Sequence, residues 1–276
     1  MTGTAGLSVS RALRLMAAAM VLTAVAACSM FGGARIDEEP IVPADELYAS
    51  AVANMEASRP ISAIENLEQL ERQHPYSDYN ERAKVMITFA NFQRGAYDEA
   101  VRAADRYLAL YPSGSDAPYI LFLKGSSYFR QITDTTRDQE ISQNAIDTLS
   151  QLISTYPRSQ YVDEARGMID IARDQIAGKE MSVGRYYLGN GQITAGINRF
   201  REVVENHDTS SHVEEALYRL TEGYLMLGLI NEARTAAAVL GHNYPSGEWY
   251  QRAFTLLQNQ GLTPQMMTGN WLSNQA

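Results

Sequence analysis

A short helix that runs into a proline recurs along this chain, and that recurrence limits the folds open to it. In the first copy, from Ser62 to Pro75, Ala63, Leu67 and Leu70 form a small or aliphatic stripe. Ala100, Ala104 and Tyr107 then lead to Tyr111-Pro112, Ala145, Leu149 and Leu152 to Tyr156-Pro157, and Ala233, Ala237 and Leu240 to Tyr244-Pro245. A degraded copy has Gly196, Phe200 and Val203 before His207-Asp208. Apolar positions spaced four and then three lie on one face of a helix, and a proline just past the end cannot continue it.

Taking Asp208 as the fourth stop, the stops lie 37, 45, 51 and 37 residues apart. That is close to, or longer than, the tetratricopeptide (TPR) period of about 34. Upstream of each proline-ended helix lies a partner helix. Turn residues separate the two in four copies: Ser58-Arg59-Pro60, Arg94-Gly95, Gly189-Asn190-Gly191 and Leu227-Gly228. One such hairpin cannot hide its apolar stripe, but stacked neighbours bury a continuous core. The predicted fold is all-α: a TPR-type solenoid of about five helical hairpins over residues 44–260. N-terminal repeats span 44–157, C-terminal repeats 158–245, and a capping helix 248–260. The stretch 261–276 has no period and reads as a mobile tail.

Local signals refine this reading. Helix one starts near Ala44 with Leu47, Ala51 and Met55 on one face, and Pro60 marks a helix start. Residues Gln131–Ser142 read as an insertion, with the return helix beginning near Gln143; such insertions serve either as binding loops or as tolerated solvent loops. From Tyr161 to Leu188 isolated glycines are the strongest breakers, which predicts a helix of about 28 residues and roughly 42 Å. Ser211-His212-Val213-Glu214 has the form of a capping box.

The first segment stands outside the fold. Residues 1–27 carry Arg11 and Arg14, no acid, and an apolar run from Leu15 to Ala27. The run is too short to span a bilayer core of about 30 Å and suits a secretory signal. It ends in Val25-Ala26-Ala27-Cys28, with the only cysteine of the chain last, and so resembles a bacterial lipobox. The competing reading is an ordinary cleavage site beside an accidental cysteine; the placement of the sole cysteine favours lipidation of Cys28. Several acyl chains anchor durably where one does not. Residues 28–43, with Pro40, Pro43 and Asp37-Glu38-Glu39, then read as a flexible tether. Cleavage removes two positive charges from a formal −9, leaving −11.

That charge, without any lysine or arginine run, argues against nucleic acid as a partner. One cysteine excludes an intramolecular disulfide or a multi-cysteine zinc site. The four histidines, His74, His207, His212 and His242, match no metal-ligand spacing. Asp208, Ser211 and His212 are hydrolase residue types lying in one turn, but a triad is defined by geometry rather than by proximity in sequence. Neither an enzyme nor a cofactor is expected, beyond covalent lipid at Cys28. A binding surface is easier to argue. In a TPR stack the first helix of each hairpin lines the inner groove, which places Tyr48, Val52, Met55, Val85, Phe89 and Phe92 there, with Phe122 and Phe129 from the third hairpin. Together they would form an apolar trough for an extended peptide or helix. Inter-repeat core is the competing role for each.

An exported, cysteine-anchored chain of five such hairpins resembles the BamD (ComL) family of outer-membrane assembly lipoproteins. The likeness rests on the lipobox, the Tyr-Pro steps at Tyr111 and Tyr156, and Ala177-Gly178-Lys179-Glu180-Met181-Ser182-Val183-Gly184-Arg185-Tyr186-Tyr187 in the long helix, followed by Ile197-Asn198-Arg199-Phe200. The tail after Gly261 has no counterpart in it. The resemblance implies a scaffold lipid-anchored in the outer membrane and facing the periplasm, a placement for which Ser29, rather than aspartate, after the cysteine also speaks. Its C-terminal repeats would dock on the POTRA region of the insertase BamA. Its N-terminal groove would serve unfolded outer-membrane β-barrel proteins or other Bam lipoproteins. Arg199, with Asn198 and Arg185, is the implied insertase-side set; the competing role for Arg199 is a surface salt bridge worth under about 1 kcal/mol. The alternative is a TPR lipoprotein of the machinery coordinating peptidoglycan synthesis or outer-membrane constriction.

Overall fold

The recurring stripe becomes the interior of a helical stack. The computed structural model describes residues 40–132, 139–267, 269, 271 and 272. The signal segment, Cys28, most of the expected tether and residues 133–138 of the insertion lie outside the described residues. The chain divides into Met1–Val42 and Pro43–Ala276, and the second unit holds eleven helices among the described residues. They are α1 Ala44–Glu56, α2 Pro60–Gln73, α3 Asn80–Gln93, α4 Tyr97–Leu110, α5 Ala117–Arg130, α6 Gln139–Thr155, α7 Val162–Gly189, α8 Ile193–Asn206, α9 Val213–Met226, α10 Ile230–Asn243 and α11 Glu248–Gln258. Consecutive helices pair as five hairpins, and α11 closes the stack against α9 and α10. No strand occurs among the described residues.

Every position of the recurring face is buried, from Ala63, Leu67 and Leu70 in α2 to Ala233, Ala237 and Leu240 in α10. Each large aliphatic side chain so buried contributes about 1.5–3 kcal/mol. The first helices meet this face through small residues. A methyl group on Gly125 would lie 2.5 Å from Leu149 Cδ2, and one on Gly184 2.5 Å from Phe200 Cε1. Glycine is what lets α5 and α7 approach the partner helices.

Two kinds of turn alternate. Within four hairpins the first helix ends in a left-handed residue, Ser58 (φ 56°), Gly95 (76°), Gly191 (74°) or Gly228 (73°). In each, two backbone N–H groups return to the last helical turn: Gly95 to the Phe92 carbonyl at 3.0 Å and Ala96 to Asn91 at 3.0 Å, with the same pattern at Ser58, Gly191 and Gly228. This is the Schellman closure, which satisfies carbonyls left over at a helix end. Ser58 carries a side chain where the other three turns use glycine. Ser58→Gly is expected to raise stability by about 0.5 kcal/mol, the left-handed strain relieved less the entropy of glycine. A melting temperature one to two degrees higher would show it; an unchanged or lower one would mean that the strain is already absorbed locally.

Between hairpins the second helix ends in a residue that has left helical geometry, with ψ of 41–62°, but whose N–H still bonds to the last turn. His74, Tyr111 and Tyr244 do so with φ of −131°, −128° and −134°. His207 matches them at −134°, although Asp208 replaces the proline. Three residues on, Ser77, Gly114, Ser159, Ser210 and Gly247 each donate N–H to the carbonyl of that capping residue at 2.9–3.1 Å. The degraded fourth copy therefore keeps the turn without proline: the hydrogen bonds and buried flanks impose it, and the ring only favours it.

Four expectations are corrected. Helix α6 already includes Gln139, the first described residue after 133–138, ahead of the expected start near Gln143, and Ser142 is buried on the same face as Ala145 and Ile146. The capping box at Ser211 does not form: α9 begins at Val213 with no side-chain cap. Ser211 instead donates its backbone N–H and its hydroxyl, each at 2.8 Å, to Asp174 Oδ1 of α7. Finally, the tail expected to be mobile is packed over its described residues. Arg234 Nε donates to the Thr263 carbonyl at 2.8 Å, Gln265 N–H donates to the Arg234 carbonyl at 3.2 Å, and Leu272 is fully buried in the C-terminal core. A segment held by one buried side chain needs no periodic pattern, so none announced it. Helix α11 also ends two residues short of Gln260, where Gly261 (φ 72°) turns the chain.

Candidate functional site

The inner face of the N-terminal hairpins carries paired aromatics built by the repeat itself. The residue four past each stop is Tyr79, Asp116, Tyr161, His212 or Trp249, just before or at the start of the next hairpin's first helix. The preceding hairpin's first helix supplies its partner. Tyr48 stacks on Tyr79 at 5.0 Å, Tyr119 on Tyr161 at 5.4 Å, and Tyr218 lies 5.2 Å from Trp249. Such pairs contribute about 0.5–1.5 kcal/mol beyond burial.

Tyr48, Val85 and Phe89 come together around a cleft of about 250 Å³ shared with Arg82, Met86 and Tyr119. Asp116 and Tyr119 also border a second cleft of about 440 Å³ walled by Tyr156 and Tyr161. Asp116 and Tyr119 line both depressions, and the two side by side make up an aromatic-lined track. Burial, with Tyr161 and Asp116 nearby, pushes the Tyr119 hydroxyl up to about 12, so it stays a neutral donor. Val52, Met55 and Phe92 lie outside the first cleft, Phe92 packing against Tyr97 at 5.8 Å. Phe122 is corrected to inter-repeat core: it stacks on Tyr161 at 4.8 Å and 18° against the third-hairpin core, and Phe129 packs on that same core. Sequence reasoning missed Tyr79, Tyr119 and Tyr161. The signal was the recurrent position four past the stop.

A second, polar cleft of about 850 Å³ lies between the third and fourth hairpins. The long helix α7 presents Arg173, Ile176, Glu180 and Tyr187 to it, spaced three, four and seven along one face. Asn198 and Arg199 line it from α8, so two of the three insertase-side candidates meet there. Glu180 is 7% exposed and Arg199 46%. Arg199 Nη1 donates to Glu180 Oε2 at 3.0 Å and Gln139 Nε2 to Oε1 at 3.1 Å, which satisfies both oxygens of a buried carboxylate. His207, at the edge of this cleft, is held below the ordinary imidazole range by burial and stands there neutral. Arg185 is not part of this group. It donates to Glu215 at 2.9 Å, and Glu215 also binds Arg219, which reaches Glu222. Arg219 and Arg252 flank the Trp249 ring at 5.8 and 4.7 Å.

The hydrolase residue types make a structural clip. Asp174 takes both bonds of Ser211, while His212 Nε2 lies 3.9 Å from Asp174 Oδ2. The aspartate thus holds the serine, a tie between α7 and the loop rather than a base poised on a nucleophile. Among the described residues no group of three or more His, Cys, Asp or Glu side chains is placed to hold a metal, and no helix is long and apolar enough to cross a membrane.

Residues 40–240 match the family described as YfiO, outer membrane lipoprotein. The chain is 41% identical over 254 residues to a protein of Caulobacter vibrioides, covering 90% of this chain and 82% of the relative. It is 36% identical over 219 residues to one of Rickettsia prowazekii, covering 79% and 87%. Both are named outer membrane protein assembly factor BamD. Among solved structures, a thermophilic TPR protein of Thermus thermophilus matches at a TM-score of 0.35 and 16% identity, over 78% of this chain and all of that one. The chain belongs to the YfiO family of outer membrane lipoproteins.

Proposed function

We propose that this protein is a lipid-anchored scaffold of outer-membrane β-barrel assembly, facing the periplasm and performing no reaction of its own. In this reading its aromatic track receives extended segments of unfolded barrel proteins. Its polar cleft at Asn198 and Arg199 meets the POTRA region of BamA, with other Bam lipoproteins as further partners. The observation that carries the reading is the 41% identity across 90% of the chain to a protein named outer membrane protein assembly factor BamD. The track supports it chemically: aromatic edges beside exposed polar groups suit a partly apolar strand that keeps its backbone hydrated.

Affinity purification in mild detergent with mass spectrometry tests the partners. Recovery of BamA is expected, and recovery of peptidoglycan synthases or constriction proteins in its place would support the envelope-machinery alternative. Phe89→Asp should cut crosslinking to a barrel-derived peptide by about tenfold, the loss of one buried aromatic contact, while Phe92→Asp leaves most of it. Equal crosslinking in a folded Phe89→Asp protein would remove the track from the reading. Cys28→Ala should move the protein from the membrane fraction to the soluble periplasm. Retention on the membrane even after partners are stripped by salt would count against the anchor.

A further inference from the structure

Past Gly261 the backbone leaves the capping helix and returns over the fifth and fourth hairpins. Residues 262–267 have no helix or strand. They are tied to α10 through main-chain atoms: the Thr263 carbonyl accepts from Arg234 Nε at 2.8 Å, and the Gln265 N–H donates to the mid-helix carbonyl of Arg234 at 3.2 Å. Gly269, at φ 81°, turns the chain again, and Trp271 and Leu272 enter the C-terminal core. Leu272 is fully buried. The Arg201 guanidinium sits 4.5 Å above the Trp271 ring, oriented by Glu205 at 2.8 Å, and the indole packs against the core that includes Tyr224.

We propose that the slot filled by Trp271 and Leu272 is a peptide-recognition site, held in cis by the chain's own tail. In trans it accepts an extended segment that carries an aromatic residue followed by a large aliphatic one. Three observations carry this. The slot reads backbone and side chains separately: Arg234 offers a guanidinium donor and a helix carbonyl to any extended chain, whereas Arg201, Tyr224 and the core wall select the aromatic–aliphatic pair. The walls also stand on helices of the stack, Arg201 on α8, Tyr224 on α9 and Arg234 on α10, whereas the strap follows the last of them. Lastly, between two left-handed glycines the described residues 262–267 have no regular secondary structure, which is how a segment of low local stability is built. The site is distinct from the aromatic track and does not rest on the assembly reading.

The test uses the full chain. A fluorescein-labelled synthetic peptide of residues 262–276 is titrated into wild-type protein and into Trp271→Ala/Leu272→Ala, and binding is read by anisotropy. A tethered competitor acts at roughly millimolar effective concentration, so the double variant should bind the peptide at least about tenfold more tightly than wild type. Arg201→Met added to that variant should weaken binding again, and a peptide with alanine at both anchor positions should not bind. Equal binding to the two proteins, or none to a double variant with wild-type circular dichroism, overturns the proposal. Should the double variant not fold, hydrogen exchange on wild-type protein decides. Amides of residues 262–272 exchanging at least about a hundredfold faster than those of α10 support a displaceable strap; exchange as slow as α10 makes the strap part of the core and overturns it.

Discussion

Phe200→Ala is expected to destabilise the C-terminal hairpins by about 3–5 kcal/mol, the cost of deleting a fully buried aromatic from a core that cannot collapse around the void. The ring lies where α8 meets α7, against Gly184, and one wall of its pocket is that glycine's missing side chain. Gly184→Ala alone should cost about 1–2 kcal/mol: the new methyl meets the ring at 2.5–2.9 Å, and about 1 kcal/mol of better helix propensity offsets part of the overpacking. The two changes together should cost less than their sum by about 0.5–3 kcal/mol, because the added methyl occupies part of the space the ring vacates. Urea unfolding of the four proteins measures this. Strict additivity would mean that the glycine is required for some reason other than Phe200.

Arg199→Ala is expected to lower stability by about 2–3 kcal/mol, well beyond a surface salt bridge, because it leaves Glu180 buried with Gln139 as its remaining described partner. Adding Glu180→Gln should restore most of that loss, since a neutral amide does not need the guanidinium. The pair also separates two roles that a single substitution confuses. If Arg199 meets BamA directly, as proposed, the double variant regains stability and still binds BamA poorly. If its part in assembly is only to hold Glu180, stability and binding return together. No loss of stability in Arg199→Ala would show that water replaces the guanidinium in the cleft.

What could be read ahead in this chain was whatever repeats. The spacing of Ala63, Leu67 and Leu70 and its copies gave the helices and their buried face, and proline and glycine punctuation gave most boundaries to within a residue or two. Within the candidate site, Tyr48, Val85 and Phe89 were legible because the first helix of a TPR hairpin faces inward. Phe122 was not, because its fate depends on Tyr161, a residue 39 positions away that stacks on it.

Sequence alone thus determined the class of fold, the register of each hairpin and the family, since these follow from local periodicity and from residues in fixed order. Tertiary structure alone decided that Ser211 answers to Asp174 instead of capping its own helix, that Glu180 gathers Arg199 and Gln139, and that Trp271 and Leu272 fold back into the core. Each of these joins residues from different elements, 19 to more than 40 positions apart, through one side chain. A single long-range contact leaves no period in a sequence, and its free energy exists only once the hairpins are stacked.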